Sequence, residues 1–312
     1  RLEAEFAAAP ARPARHAGAA YPAAAAELRA TLAGYFEAAP PVGVVADGGA
    51  LLALAAPHVS PGGGPAAYAA AYRQWPADLG GRDLIILGTS HYGPPNRFGL
   101  TRKAFETPLG ALPAAGEAVD FLLARAPNSC VLEDYCHAVE HSIEFQCVFA
   151  RYALAERGEA AAPPRVVPIL CGPILGDDPE VERFLEALAE LAASRPGGWL
   201  WLLGIDLAHI GRRYGDALAA QAGTGMMVEV RRRDHERLAA AEAGDAAALR
   251  ALVRPENDDL RWCGFAPLYA FLRAQPAARG ALLRYDQWNI DPESVVSFAA
   301  LRFQDAARPA RL

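Results

Sequence analysis

Four short apolar segments alternate along the chain with longer segments of helical period. The apolar segments carry almost no charge and cover residues 50–57, 83–90, 165–172 and 199–206. Short continuous apolar runs are typical of strands that are buried on both faces of a sheet. The helical segments cover residues 24–36, 115–126, 141–156 and 179–193. This alternation predicts an α/β fold with three layers, α/β/α, in which helices cover both faces of a mainly parallel central sheet.

Towards the carboxyl end the pattern changes to an open alternation of apolar and polar positions. Residues 281–290 and 294–303 both show it, which favours an antiparallel pair or edge strands and therefore a mixed sheet. Two segments rich in Pro and Gly, 61–65 and 159–164, are expected to be surface loops. Because these loops do not resemble linkers and no internal repeat is visible, residues 1–312 are predicted to form a single α/β domain.

Composition and charge exclude several classes of function. The chain of 312 residues is 53% hydrophobic and 21% charged, which is enough apolar material for a large core. Its formal net charge of −6 argues against nucleic-acid binding, because that function needs a basic patch. The densest basic segment, 231–237, contains its own acids and is expected to be a solvated helix face. Since no segment resembles a membrane span or a signal-peptide core, we expect a soluble, cytoplasmic protein.

The cysteines indicate reduced thiols. Their number is five, and none forms a C-x-x-C pair, which fits a reducing compartment better than a disulfide framework. Most are expected to be small core residues. Cys263 differs because it directly precedes an apolar helical segment. The helix dipole and the free amides would lower the pKa of its thiol and favour a metal-binding thiolate.

Three of the seven histidines follow apolar strand segments. His58, His91 and His209 come just after the first, second and fourth segment. If these strands are parallel, their carboxyl ends meet at one edge of the sheet, where open α/β folds bind ligands. A strand end is also an ordinary position for a histidine that caps a carbonyl, but three together favour a shared site. Asp206 could orient one of the imidazoles, accept a proton or cap a turn.

Five segments, in their order along the chain, resemble one known family. They read APH at 56–58, GTSHY at 88–92, EHSIEFQ at 140–146, DLAHIG at 206–211 and CGFAP at 263–267. This order is similar to that of the Memo family, also called AmmeMemoRadiSam system protein B. The amino-terminal HAGAAYP at 16–22 resembles the H-A-G-x-W-Y-P opening of that family, with Ala20 in place of Trp. The resemblance implies a fold like that of the LigB-type class III extradiol dioxygenases, which are non-haem Fe(II) enzymes.

The resemblance also implies a metal centre and the residues around it. The implied metal ligands are His58, His91 and Cys263. The implied catalytic residues are His209, Asp206, His141 and Glu140. The implied pocket residues are Tyr92, Ser90 and Glu144. Two imidazoles and one thiolate would leave open positions on Fe(II), although copper or zinc would also suit these ligands.

The function implied by the resemblance is redox chemistry on a catechol-like or enolisable small molecule, with dioxygen as the second substrate. Cys263 departs from the two-His-one-carboxylate set of the dioxygenases, and PHVSPGGG at 57–64 departs from the P-H-A-G-Y pattern of many members. Ring cleavage and substrate preference are therefore not carried over. An alternative is a non-catalytic metal- or peptide-binding partner of the radical-SAM and third proteins of the AmmeMemoRadiSam system, because fold does not imply function.

A further alternative is a zinc metallopeptidase. The segment HAVEH at 137–141 matches H-x-x-E-H, in which two histidines at i and i+4 of a helix hold Zn(II) and the Glu activates water. A match of five residues is weak, and no third carboxylate ligand is identifiable. His16 could reach the same site or satisfy a loop, the role of His137 stays open, and His235 is expected to be solvated.

Overall fold

The computed structural model describes residues 2–42, 50–158 and 162–306. The helices are α1 (Leu2–Ala8), α2 (Ala25–Ala38), α3 (Pro65–Tyr72), α4 (Gly116–Arg125), α5 (Cys136–Val139), α6 (Ser142–Glu156), α7 (Pro179–Ser194), α8 (Met226–Glu242), α9 (Ala246–Val253) and α10 (Phe265–Ala274). The strands are β1 (Ala11–Arg12), β2 (Leu51–Ala56), β3 (Asp83–Thr89), β4 (Phe98–Leu100), β5 (Ala104–Phe105), β6 (Cys130–Leu132), β7 (Val166–Cys171), β8 (Trp199–Gly204), β9 (Asp206–Gly211), β10 (Ala278–Asp291) and β11 (Ser294–Asp305). None of the described helices has the combination of length and hydropathy that a membrane crossing requires.

The main sheet is mixed, with a parallel centre. Within the described ranges its nine strands follow the order β10-β11-β2-β8-β3-β7-β4-β6, and β9 pairs with β11. The central strands β2, β8, β3 and β7 run parallel to one another, whereas β11 is antiparallel to β2 and β4 is antiparallel to β7. The four strands predicted from uninterrupted apolar runs are these four central strands, so the predicted fold class is confirmed.

Helices cover both faces of the central strands, which explains why their sequences show no polar alternation. Every residue of β3, β7 and β8 is buried. On one face Ile85 and Trp201 belong to a core that includes α4, α7 and α10. On the other face Leu84 and Leu202 pack in a core with α2, α3 and α6. Neighbouring residues of one strand therefore enter different cores, as strand geometry requires, and the three layers follow.

The carboxyl-terminal alternation produces the predicted antiparallel pair. Strand β10 pairs with β11 from Ala278 opposite Asp305 to Asp291 opposite Ser294. Of these two strands, β10 lies at an edge of the described sheet, whereas β11 also pairs with β2 and with β9. The first ten residues of β11 are all buried. Its position inside the sheet accounts for this burial.

Two predictions about loops and surfaces need correction. Segment 61–65 is only partly a loop, because Pro65 begins α3 and Pro61 is buried. Proline suits a first helical position, since its missing N–H has no helical partner to lose. Of segment 159–164, residues 159–161 lie outside the described residues.

The basic segment 231–237 is not simply a solvated helix face. His235 is exposed as expected, but Asp234 and Arg237 are buried in α8. The Asp234 carboxylate accepts hydrogen bonds from Trp262 Nε1 at 2.7 Å, Tyr285 Oη at 2.8 Å and Ser297 Oγ at 2.6 Å. One side of the charged segment therefore ties α8 to the chain around residue 262 and to the last two strands.

The five cysteines form no disulfide. Cys147 and Cys171 are buried, while Cys130 and Cys136 are partly buried. Burial raises the pKa of Cys130 and of Cys136 to about 12. Cys147 and Cys171 occupy the core as the sequence predicted.

Candidate metal centre

The carboxyl ends of two parallel strands bring two histidines together. His58 lies two residues after β2 and His91 two residues after β3, and both strands flank β8. The centroids of the two rings are 5.1 Å apart. Strand order alone therefore places these imidazoles at one edge of the sheet.

His141 completes a group of three imidazoles. It immediately precedes α6, and its ring centroid lies 5.4 Å from that of His58 and 5.1 Å from that of His91. One nitrogen from each ring lies within 4.8 Å of the other two. We call His58, His91 and His141 the histidine triad. It unites three segments of the chain that are far apart in sequence.

Two glycines allow α6 to begin against the sheet. Gly88 in β3 and Gly204 in β8 both face Ser142, the first residue of α6. A Cβ on Gly204 would clash with the backbone oxygen of Ser142, and a Cβ on Gly88 would clash with its side chain. Ser142 Oγ also donates a hydrogen bond of 2.8 Å to the Thr89 carbonyl. This close approach carries His141 to the ends of the strands.

Hydrogen bonds fix two rings of the triad. His58 Nδ1 donates to the Gly204 carbonyl at 2.9 Å. His91 Nδ1 lies 2.9 Å from Glu140 Oε2, and the same carboxylate accepts from the His91 backbone N–H. Glu140 is only 2% exposed. Metal-binding histidines generally donate their second N–H to a carbonyl or a carboxylate in this way, which leaves Nε2 free as the ligand atom.

Burial disfavours the charged form of two rings of the triad. It lowers the pKa of both His58 and His141 well below the ordinary histidine value, and repulsion from the neighbouring imidazoles lowers it further. Neutral imidazole is the form that binds metals. The donor set of three imidazoles, with a thiol beside them, suits Fe(II), copper or zinc.

Cys263 lies next to the triad, but its surroundings raise the pKa of its thiol instead of lowering it. Its Sγ is 3.2 Å from His58 Nε2. Burial raises the pKa of the thiol well above the ordinary value, and the nearby Asp206 carboxylate raises it further. The prediction that the start of α10 lowers this pKa is therefore wrong, because burial and the carboxylate outweigh the helix terminus. Proximity to His58, rather than acidity, makes Cys263 a candidate ligand.

Asp206 holds the turn that carries His58. Its Oδ1 accepts from the backbone N–H groups of His58 at 2.9 Å and Val59 at 3.2 Å. Its Oδ2 lies 3.4 Å from His58 Nε2. Burial raises the pKa of Asp206 to about 6. The carboxyl group therefore stabilises the turn that carries His58 and also faces the triad.

His209 is not a member of the triad, although a charge on its ring would interact with His58 and His91. The fourth predicted strand, 199–206, ends in the structure at Gly204, and a new strand, β9, begins at Asp206. His209 is therefore a strand residue. Its Nδ1 lies 3.0 Å from the Leu207 carbonyl and 3.1 Å from the Arg261 carbonyl. Donation of the Nδ1 proton to these oxygens leaves Nε2 as a proton acceptor, and burial lowers the pKa of the ring.

Glu144 anchors an amino-terminal segment rather than lining an open pocket. The carboxylate is fully buried and accepts from Arg12 Nη1, Tyr21 Oη, and the backbone and ring nitrogens of His16 at 2.9 Å each. Arg12 also donates to the carbonyls of His137 at 2.8 Å and Glu140 at 2.6 Å. The His16 ring lies 5.8 Å from that of His141.

The roles of Arg12 and Tyr21 were missed by sequence reasoning. Tyr21 lies within the segment 16–22 that resembles the family opening, so that segment was the available signal. Nothing in the local pattern marked Arg12, since its partners at the site, Glu144 and the carbonyls of His137 and Glu140, lie more than a hundred residues away.

The metallopeptidase motif does not form a helix with two ligands. Helix α5 ends at Val139 and α6 begins at Ser142, while Glu140 between them has an extended backbone. His137 is buried, with its Nε2 3.0 Å from the Gly99 carbonyl. His137 and His141 therefore do not share the helical face that an inverted zincin requires, and that interpretation is wrong.

Two implied pocket residues near His91 have different environments. Ser90 is buried, and its Oγ accepts from the Gly93 N–H at 3.1 Å. Tyr92 is 71% exposed, and its ring centroid lies 6.5 Å from that of His91. Ser90 therefore belongs to the interior of the site, whereas Tyr92 stands on its outer rim.

Comparison with known proteins finds one family. Residues 12–302 match the family model described as Memo-like protein. A MEMO1 family protein of Thermus thermophilus is 30% identical over 243 residues, which cover 76% of this chain and 67% of the relative. A MEMO1 family protein of Aquifex aeolicus is 26% identical over 225 residues, which cover 70% of this chain and 55% of the relative. The chain thus spans little more than half the length of the Aquifex protein.

Comparison with solved structures agrees on the fold. The crystal structure of an uncharacterized protein from Escherichia coli K12 superposes with a TM-score of 0.50 over 81% of this chain and 99% of that chain. The two sequences are 13% identical. At this identity the likeness establishes a shared fold.

Proposed function

Because the chain belongs to the Memo family and its histidines cluster at the edge of the sheet, we propose that it is a metal-dependent redox protein. The metal centre is built on the histidine triad, with the Cys263 thiol as the adjacent donor. The metal expected is Fe(II), and copper or zinc fits the same donors. His58 and His91 are common to this centre and to the ligand set that the family resemblance implies.

The observation that carries this proposal is the arrangement of the triad. Three imidazole nitrogens lie within 4.8 Å of one another. The second nitrogen of His58 is hydrogen-bonded to Gly204 and that of His91 to Glu140. Histidines that only donate a hydrogen bond to a carbonyl in the core would not be expected to have their other ring nitrogens close together. A bound iron or copper ion would supply redox chemistry and would bring two reactants into contact.

The residues around the triad supply orientation and proton transfer. Glu140 and the Gly204 carbonyl hold the two rings in one tautomer. His209 Nε2 accepts a proton from the substrate, since Nδ1 is occupied by backbone carbonyls. The substrate is a catechol-like or enolisable small molecule that reacts with dioxygen, as in the dioxygenases that the family resembles.

Metal analysis of variants tests the centre. The full chain is purified anaerobically and its metal content is measured by elemental mass spectrometry for wild type, His91→Ala, His141→Ala and Cys263→Ala. We expect near-stoichiometric metal in wild type and its loss in His91→Ala. The matched control is His235→Ala, which changes an exposed histidine of α8 and should retain the metal. Full metal retention in His91→Ala would contradict the proposal.

The two remaining variants identify the further ligand. Loss of metal in His141→Ala but not in Cys263→Ala would assign the third position to His141, and the reverse would assign it to Cys263.

Oxygen consumption then tests the reaction. We expect the iron-loaded protein to consume dioxygen with at least one member of a catechol series, and His209→Gln to slow this reaction while keeping the metal. A stably metal-loaded protein that consumes no oxygen would instead indicate a metal-binding partner. Co-purification with the radical-SAM and third proteins of the AmmeMemoRadiSam system would then be measured.

A further inference from the structure

A cavity of about 310 Å³ opens beside the triad on the side of Cys263. His91, Ser90 and Cys263 are among the residues that line it. The walls come from segments 171–175 and 253–266, which follow β7 and precede or begin α10. The cavity therefore lies at the carboxyl edge of the parallel strands and shares His91 with the proposed metal centre.

The body of the cavity is apolar. Ile174, Val253, Trp262, Phe265 and Ala266 all line it, and each is almost fully buried. Three polar residues of the lining lie in or next to the triad: His91 is a member, Ser90 precedes it in the chain, and Cys263 Sγ is 3.2 Å from His58 Nε2. A ligand that fills this space therefore meets donor and acceptor atoms at one end and apolar surface along its body.

The two charged residues of the wall already have partners. Arg261 Nη2 lies 2.7 Å from Asp216 Oδ1, and its Nη1 donates to the His209 carbonyl at 3.1 Å. Asp258 pairs with Arg237 at 2.9 Å and accepts from the backbone N–H of Trp262. Neither charge requires compensation by a ligand. The cavity therefore offers phosphorylated and other highly charged molecules no unpaired charge to bind, which disfavours them.

The apolar wall is held in place by the rest of the fold. Trp262 Nε1 donates to Asp234 at 2.7 Å, and Thr89 Oγ1 donates to the Cys263 carbonyl at 2.9 Å. These bonds connect the wall to α8 and to β3. A wall that is fixed before binding loses little conformational entropy when the ligand arrives, which raises affinity.

We propose that this cavity is the substrate pocket. Its ligand has an oxygen-bearing head that faces the triad and an uncharged, ring-sized apolar body that packs against Ile174, Trp262 and Phe265. The volume lies at the lower limit of ligand cavities, which favours a body of about the size of a single ring. This inference rests on the proposed metal centre, which would hold the head.

Two hydroxamate probes distinguish the binding of the ligand's oxygen-bearing head from the binding of its apolar body. Acetohydroxamate and benzohydroxamate present the same metal-binding oxygens, but only the second has a ring. The full chain is loaded with Zn(II), which is redox-inert, and both affinities are measured by calorimetry. We expect benzohydroxamate to bind roughly 10- to 100-fold more tightly, because its ring is buried against the apolar wall.

A variant locates the ring. Leu175→Trp narrows the partly buried side of the cavity and should reduce the advantage of benzohydroxamate to less than threefold, without changing acetohydroxamate binding. The matched control is Leu252→Trp, which enlarges an exposed side chain of α9 and should leave both affinities unchanged.

The outcomes distinguish the two proposals. Equal affinities of the two hydroxamates for zinc-loaded protein, or an advantage that persists in Leu175→Trp, would overturn the pocket and leave the metal centre standing. Failure of the wild type to retain zinc or iron would overturn the metal centre, and with it the basis of the pocket.

Discussion

Replacement of Glu144 by Gln should weaken the attachment of the amino-terminal segment. The Glu144 carboxylate is buried and accepts hydrogen bonds from Arg12, His16 and Tyr21. Arg12 is itself fully buried. Glu144→Gln keeps the shape of the side chain but removes its charge, so the Arg12 guanidinium loses its charged partner inside the protein. An uncompensated buried charge is strongly destabilising.

The magnitude follows from the pKa of Glu144. Burial alone would raise this pKa, but the contacts with His16, Arg12 and Tyr21 outweigh burial and lower it from 4.5 to about 2. A lowering of this size corresponds to about 3 kcal/mol of folding free energy at neutral pH. Because the folded pKa is depressed, this stabilisation is fully present above pH 4.5. It is lost as the pH falls from 4.5 towards 2.

Denaturation at several pH values measures the effect. The free energy of unfolding in urea is determined at pH 7, 5.5, 4.5 and 3.5 from tryptophan fluorescence. We expect wild type to exceed Glu144→Gln by about 3 kcal/mol at pH 7 and the difference to shrink below pH 4.5. The control Glu190→Gln breaks a half-exposed pair with Arg125 and should cost less than about 1 kcal/mol. A Glu144 difference that is small at pH 7, or constant with pH, would refute the reasoning.

Three further predictions follow from close contacts. Gly88→Ala should lower the free energy of unfolding by about 1–3 kcal/mol in urea denaturation, because the new Cβ would clash with the start of α6. The control Gly34→Ala in α2, where no atom lies near the Cβ position, should leave this free energy unchanged or raise it by up to about 1 kcal/mol. Asp234→Ala should lower the free energy of unfolding by about 2–4 kcal/mol, since three donors lose their acceptor, and two of them, Trp262 Nε1 and Ser297 Oγ, belong to buried residues. An unchanged melting temperature would contradict this. Glu140→Gln should weaken metal affinity about 10- to 100-fold by competition with a chelator, and unchanged affinity would show that the carboxylate does not orient the ligand.

Much of the fold could be predicted from local pattern because the central strands are buried on both faces. That burial forces β2, β3, β7 and β8 to be continuously apolar, and the segments between them carry the helical period. The positions of His58 and His91 at the strand ends followed from the same pattern. Local pattern could not show that β8 ends at Gly204 and β9 starts two residues later, because the boundary depends on pairing with β11.

The candidate site was predictable only in part. The segments that resemble the Memo family named His58, His91, His141 and Cys263, and these residues do lie together in space. The predicted ligand roles of His58, His91 and Cys263 and the predicted catalytic role of His141 stay predictions. The sequence did not reveal that burial raises the pKa of the Cys263 thiol. It also did not reveal that Glu144 binds Arg12 instead of facing an open pocket.

The sequence by itself determined the α/β class, the central strands and the family, because each of these is written in short segments whose residues are neighbours in the chain. The tertiary structure decided the histidine triad, the Glu144 anchor and the apolar cavity. These depend on side chains separated by dozens to more than a hundred residues, such as the 128 positions between His16 and Glu144. Burial and mutual distance determine charge state and coordination, and both exist only after the chain has folded.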